Sequence, residues 1–77
     1  MSKQKIEGFN TRLLKAIDNK DMSCRQVCLM TGIGWNCMNN YINEGQMPSC
    51  FNLVKLAKLL EVSTDYLLGL EGERYDQ

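Results

Sequence analysis

The chain has 77 residues, nine Lys+Arg against nine Asp+Glu, and no histidine. That length suits one small domain able to bury only about 60–65% of its unfolded surface, with no room for a deep substrate cleft. Without a histidine to act as base, paired carboxylates in a cleft or a phosphate loop, an enzyme is not expected.

Neutrality conceals an asymmetry. Residues 1–33 carry six basic and three acidic groups, residues 34–58 carry two and one, and residues 59–77 carry one and five. A neutral total can therefore hide a basic face. No long apolar run suggests a membrane segment, and the polar start M-S-K-Q-K-I-E-G does not resemble a targeting signal, so a cytoplasmic protein is expected. Residues 1–6 read as a flexible arm, 7–70 as the folded domain and 71–77 as a polar tail.

The first predicted helix runs from about Glu7 to Asn19. Phe9, Leu13, Ala16 and Ile17 recur at helical spacing, with Arg12 and Lys15 off that face. Ser23 opens the second helix through a capping box with Gln26. Val27, Met30 and Cys28 form its expected inner face, and Gly32 is suited to the left-handed residue that ends it. Gly34 caps a third helix from Trp35 to about Asn43, which the turn E-G-Q-M-P ends. Ser49 caps the fourth helix, Cys50 to Leu60, so apolar on most sides that a central position is expected. Ser63-Thr64-Asp65 caps a fifth, stopped at Gly69. No segment alternates with period two, so the expected fold is all-α, a compact bundle of four to five helices.

Cysteines at 24, 28, 37 and 50 match no usual zinc spacing, and the chain has no histidine to complete one. Reduced thiols used as small apolar residues are expected, with no metal, disulfide or cofactor.

The third helix raises the functional question. Asn36, Asn39, Asn40 and Asn43 follow i, i+3, i+4, i+7, one face of a helix. Asparagine is a poor helix former, and four together forgo about 2 kcal/mol relative to alanine. An amide carries donor and acceptor on one planar group, matching adenine N6 and N7 in the major groove, where a good pair discriminates by about 1–3 kcal/mol. The alternative is a solvated face that happens to be asparagine.

The second and third helices are joined by G-I-G, the tight connection of a helix-turn-helix, with Cys28 small where the helices cross and Ile33 and Met38 packed between them. The runs S-x-x-Q-V-C-x-x-T-G-I, M-N-N-Y-I-N and M-P-S-x-x-N-L-V-K-L-A-K-L-L-E-V-S-T-D-Y-L-L-G resemble the phage-repressor/Cro type (XRE-like) helix-turn-helix domain over about residues 7–70. The resemblance implies a four- to five-helix, lambda-repressor-like DNA-binding domain whose third helix reads an operator. It puts base reading on Trp35, Asn36, Asn39 and Asn40, and phosphate contact on Ser23, Cys24 and Asn43. The chain departs from the pattern at Gly34, where Ser or Thr is common, at Cys24, where Gln is common, and at Glu44-Gly45-Gln46, where a basic residue is common.

Arg25 is the best further phosphate candidate because the second helix crosses the backbone in this docking mode, followed by Arg12 and Lys15. Trp35 either touches a thymine methyl or sugar-phosphate, or folds back over the domain. The expected partner is double-stranded DNA, bound as an inverted repeat by a homodimer formed through the fifth helix and beyond, at Tyr66, Leu67, Leu70 and Tyr75. A small-molecule substrate and a membrane are not expected. The alternative is the same fold used for protein–protein contact, as an anti-repressor or toxin-neutralising subunit.

Overall fold

The computed structural model describes residues 6–70. It is all-helical, with α1 at Phe9–Asn19, α2 at Cys24–Thr31, α3 at Trp35–Asn39 continuing as a π-helical turn at Asn40–Glu44, α4 at Cys50–Leu60 and α5 at Thr64–Leu68. The expected arm (but for Ile6), the tail and Tyr75 lie outside the described residues.

Side-chain caps set most helix starts. The Ser23 hydroxyl accepts from the Gln26 amide at 3.1 Å while Gln26 Oε1 accepts from the Ser23 amide at 2.9 Å, completing the capping box. Ser49 and Ser63 accept from the Asn52 and Tyr66 amides in the same way. Each such bond satisfies a donor that the first helical turn leaves without a carbonyl partner. Ser23→Ala is expected to cost about 1 kcal/mol, lowering the melting temperature by roughly 4–8 °C in a thermal unfolding scan.

The core gathers one face from every helix. Phe9, Leu13, Ala16 and Ile17 of α1 meet Val27 of α2, Met38 of α3, Tyr41 of the π-helical turn, Leu56, Ala57 and Leu60 of α4, and Leu67 of α5, with Ile33 entering from the turn between α2 and α3. Fully burying each Leu or Phe among these stabilises by about 1.5–3 kcal/mol. The one polar atom brought in by Tyr41 is satisfied, its hydroxyl accepting from Asn52 Nδ2 at 2.9 Å.

Four expectations are corrected. Met30 is 67% exposed and stands outside; the inner face of α2 is Val27, with Cys28 and Cys24 half-buried against the core. An eight-residue helix makes barely two turns, so its apolar residues do not define one direction. Secondly, α4 is one-sided: Leu56, Ala57 and Leu60 pack inward while Phe51 stands 81% exposed and Val54 is exposed too. A domain this small has no second layer to cover that flank. Thirdly, Leu67 is wholly buried and is a core residue, not part of a dimer surface. Tyr66 is half-buried against the core, and Leu70 is exposed.

The last correction concerns the third helix, which is regular only to Asn39. Beyond it the carbonyl of Asn40 accepts from both Gly45 and Gln46 amides, and the Ile42 carbonyl accepts from Asn10 Nδ2 of α1 at 3.1 Å. Asparagine-rich backbone holds an α-helix weakly, and the Ile42 carbonyl, in the last turn where no helical amide reaches it, is satisfied by α1. The turn takes an extra residue, and left-handed Gly45 closes it.

Candidate nucleic-acid interface

Gly32, Ile33 and Gly34 set the angle between α2 and α3. Gly32 is left-handed (φ 80°) and its amide donates to the Cys28 carbonyl at 2.8 Å. Thr31 Oγ1 donates to the Val27 carbonyl at 2.7 Å and accepts from the Ile33 amide at 3.2 Å, which turns the chain inward at Ile33. Gly34 then starts α3 without a side-chain cap. Ile33 and Met38, both buried, lock the two helices together, as the sequence pattern predicts.

On the outer side, Asn36 and Asn43 are exposed, and Asn39 and Asn40 are half-buried. Asn43 Nδ2 donates a short hydrogen bond to Asn39 Oδ1. The Asn39 carbonyl is thereby occupied and its amide group oriented, so Asn39 offers donors more readily than a bidentate pair. Asn36 and Asn40 are left as the amides whose side chains have no hydrogen bond within the described residues.

Trp35 stands 55% exposed at the start of α3. It borders an open cleft of about 550 Å³ lined also by Arg25, Cys28, Leu29, Gly32 and Ile33. Leu29 is 77% exposed there. It belongs to no expected site; its position at i+4 from Arg25 is the sequence signal that places both on one side of α2. Burial raises the Cys28 thiol above its ordinary value, with Cys24 adding to the rise and Arg25 opposing it, so the cleft floor is an uncharged thiol at neutral pH.

The expected phosphate contacts separate. Arg25 is exposed at the cleft rim. The Ser23 oxygen accepts the cap bond, which does not use its O–H donor, whereas Cys24 is half-buried against the core with no strong donor to offer. Lys15 is exposed on α1, whose main neighbours are the π-helical turn and α5. Arg12 is committed elsewhere: its Nε donates to the Leu67 carbonyl at 3.1 Å and its Nη2 to the Glu7 carbonyl at 3.0 Å. Two of its five N–H donors are thus used in closing the domain.

Over 62 residues the chain is 34% identical to the HTH-type transcriptional regulator ImmR of Bacillus subtilis (strain 168), a stretch covering 80% of this chain and 49% of that protein. The chain thus spans about half the length of the curated relative it matches. No family model matches the chain, and no solved structure matches it. Among the described residues no helix is long and apolar enough to cross a membrane, and no three His, Cys, Asp or Glu side chains gather as a metal site.

Proposed function

We propose that this chain is a sequence-specific DNA-binding domain of a cytoplasmic transcriptional regulator, a repressor of XRE-like type. It occupies an inverted-repeat operator as a dimer, with α3 in the major groove. The observation that carries this reading is the pair of helices joined by Gly32-Ile33-Gly34, whose second member exposes amides and a tryptophan. The similarity to a helix-turn-helix regulator supports it.

In this arrangement the N-terminal residues of α3 meet base edges while α2 crosses the backbone. Asn36 and Asn40 offer bidentate pairs to adenine, Asn39 offers donors steered by Asn43, and Trp35 offers an apolar edge. Arg25 meets phosphate from α2, with Lys15 adding charge at longer range. So few cations leave a lone domain with modest affinity, and two copies place their recognition helices about 34 Å apart on one face of DNA. The contact between copies is assigned to Tyr66 and Leu70, together with Tyr75.

Selection of bound duplexes from a random pool, followed by titration at several salt concentrations, tests the reading. An enriched inverted repeat with affinity that falls steeply with salt is the expected result. Affinity equal to that for random duplex and insensitive to salt excludes it. Arg25→Ala is expected to weaken all sequences alike and to lower the magnitude of the salt slope by about one.

A second reading, a protein-binding module of the same fold, is favoured by the exposure of Leu29, Met30, Trp35 and Phe51 together with a net charge of zero. Apolar side chains this large, so exposed, are common at protein–protein contacts. Failure to enrich any duplex favours that reading.

A further inference from the structure

The amide-bearing helix is poorly held by its own residues. Its five regular residues and the five of the π-helical turn fall short of the roughly 12–15 that an isolated helix needs in water. Gly34 gives it no side-chain cap at the start, and its asparagines favour the helix weakly. Two bonds from other helices meet the chain just after Asn40. Tyr41 is buried, and its hydroxyl accepts from Asn52 Nδ2 of α4 at 2.9 Å. The next carbonyl, that of Ile42, accepts from Asn10 Nδ2 of α1 at 3.1 Å. Both donors sit in the first turns of their helices. The Asn52 amide donates to the capping Ser49 Oγ at 3.2 Å, and Asn10 Oδ1 accepts from the Thr11 amide at 2.9 Å.

We infer that Asn10, Tyr41 and Asn52 are positioning residues for base recognition: they clamp the turn Asn40–Glu44 between α1 and α4 and so fix where the Asn40 amide points. The inference rests on the DNA-binding reading above and adds to it three residues that act through Asn40. Asn40 directly precedes the two clamped residues, and its carbonyl closes the same turn by accepting from the Gly45 and Gln46 amides. Its side chain has no hydrogen bond within the described residues, so its direction follows from where the backbone is held. A bidentate pair with adenine needs donor and acceptor aligned with N6 and N7 together, an alignment that a fraying helix end does not keep. Asn36 lies one turn earlier, beside the start of α3, and does not depend on the clamp.

The test compares two clamp variants with the parent chain. Tyr41→Phe removes the hydroxyl and keeps the buried ring. Asn10→Asp keeps the acceptor for the Thr11 amide and removes the donor to Ile42; its added charge weakens every duplex alike and cancels in a ratio of affinities. Operator positions are assigned by the relaxation that Asn36→Ala and Asn40→Ala produce in duplex selection. Loss of one hydrogen bond is expected to lower the melting temperature by roughly 4–8 °C, as in Ser23→Ala, which serves as the equally destabilised control. Well below the midpoint all three stay folded, so a purely structural role leaves the ratio of affinities for two duplexes unchanged. Both clamp variants are expected to lose discrimination at the Asn40 position by about fivefold or more, the low end of what one bidentate pair confers. Discrimination at the Asn36 position is expected to be retained, and Ser23→Ala to change neither. Unchanged preference in both clamp variants overturns the inference while leaving DNA binding intact. A loss spread over every position, or matched by Ser23→Ala, also overturns it, because the bonds then serve stability alone. If Asn40→Ala relaxes no position, the clamp has no base reader to aim and the inference falls. If the parent chain enriches no duplex, the DNA-binding reading itself fails.

Discussion

Arg12→Ala is expected to lower the melting temperature by roughly 10–20 °C without changing the salt dependence of DNA binding. The side chain joins the two ends of the domain. Its Nε donates to the carbonyl of Leu67 in the last turn of α5, and its Nη2 donates to the carbonyl of Glu7 just before α1. Hydrogen bonds from a charged donor contribute about 1.5–3 kcal/mol, and loss of the pair is assigned about 2–3 kcal/mol, allowing for the exposed side of the group. Each kcal/mol moves the midpoint by roughly 4–8 °C in a domain this size.

Glycines on both sides make room for the guanidinium. A Cβ on Gly69 falls 2.7 Å from Nη2 and 2.9 Å from Cζ, and one on Gly8 falls 2.7 Å from Nη1. Both glycines are left-handed, with φ of 82° and 85°. Gly69→Ala therefore meets a backbone penalty and a collision together, and is expected to destabilise as Arg12→Ala does. Arg12→Lys keeps the charge but has no planar fork for two carbonyls, so it recovers less than half the loss. Thermal unfolding of the three variants measures this, with DNA titrations run well below the lowest midpoint. An unchanged midpoint, together with a salt slope reduced by one, returns Arg12 to the phosphate contacts.

Local chemistry explains which parts of this architecture were legible in the sequence. Ser23 and Gln26 cap α2 across three residues, Gly32 and Gly69 take the left-handed conformation that ends their helices, and Ile33 and Met38 pack between α2 and α3. Each of these depends on neighbours within a few positions. The Arg12 clasp depends on a carbonyl 55 residues away, which no periodicity reveals. Met30 and Phe51 look like core by type, and only the assembled bundle decides which side of a short helix is covered. The π-helical turn lies between these cases. Its weak helix formers are visible in the sequence, but the capping of the Ile42 carbonyl requires Asn10 of α1. For the candidate interface, residue type pointed to the amides of α3, whereas the Leu29–Trp35 cleft appears only once α2 and α3 are placed side by side.

The same placement lets stability and recognition be separated at the amides. Asn36→Ala and Asn40→Ala are each expected to reduce discrimination at one operator position by about 1–3 kcal/mol, roughly 5- to 150-fold in relative affinity. Neither side chain is hydrogen-bonded within the described residues, and Asn36 is exposed at the start of α3. Alanine is the better helix former by about half a kcal/mol, so Asn36→Ala is expected to hold or slightly raise the melting temperature. Asn40→Ala gives up some packing, because Asn40 is half-buried, and is expected to be near neutral. Asn39→Ala makes the contrast: it leaves Asn43 without its acceptor, so it alters two side chains at once and its effect does not add to that of Asn40→Ala. Repeating the duplex selection with each variant, beside a thermal scan, gives both readouts from one preparation. Relaxed preference at a single position with an unchanged midpoint identifies an amide that reads a base. If preferences survive in the double variant Asn36→Ala, Asn40→Ala, the amides are a solvated surface, and specificity must rest on Trp35 and the cleft beside it.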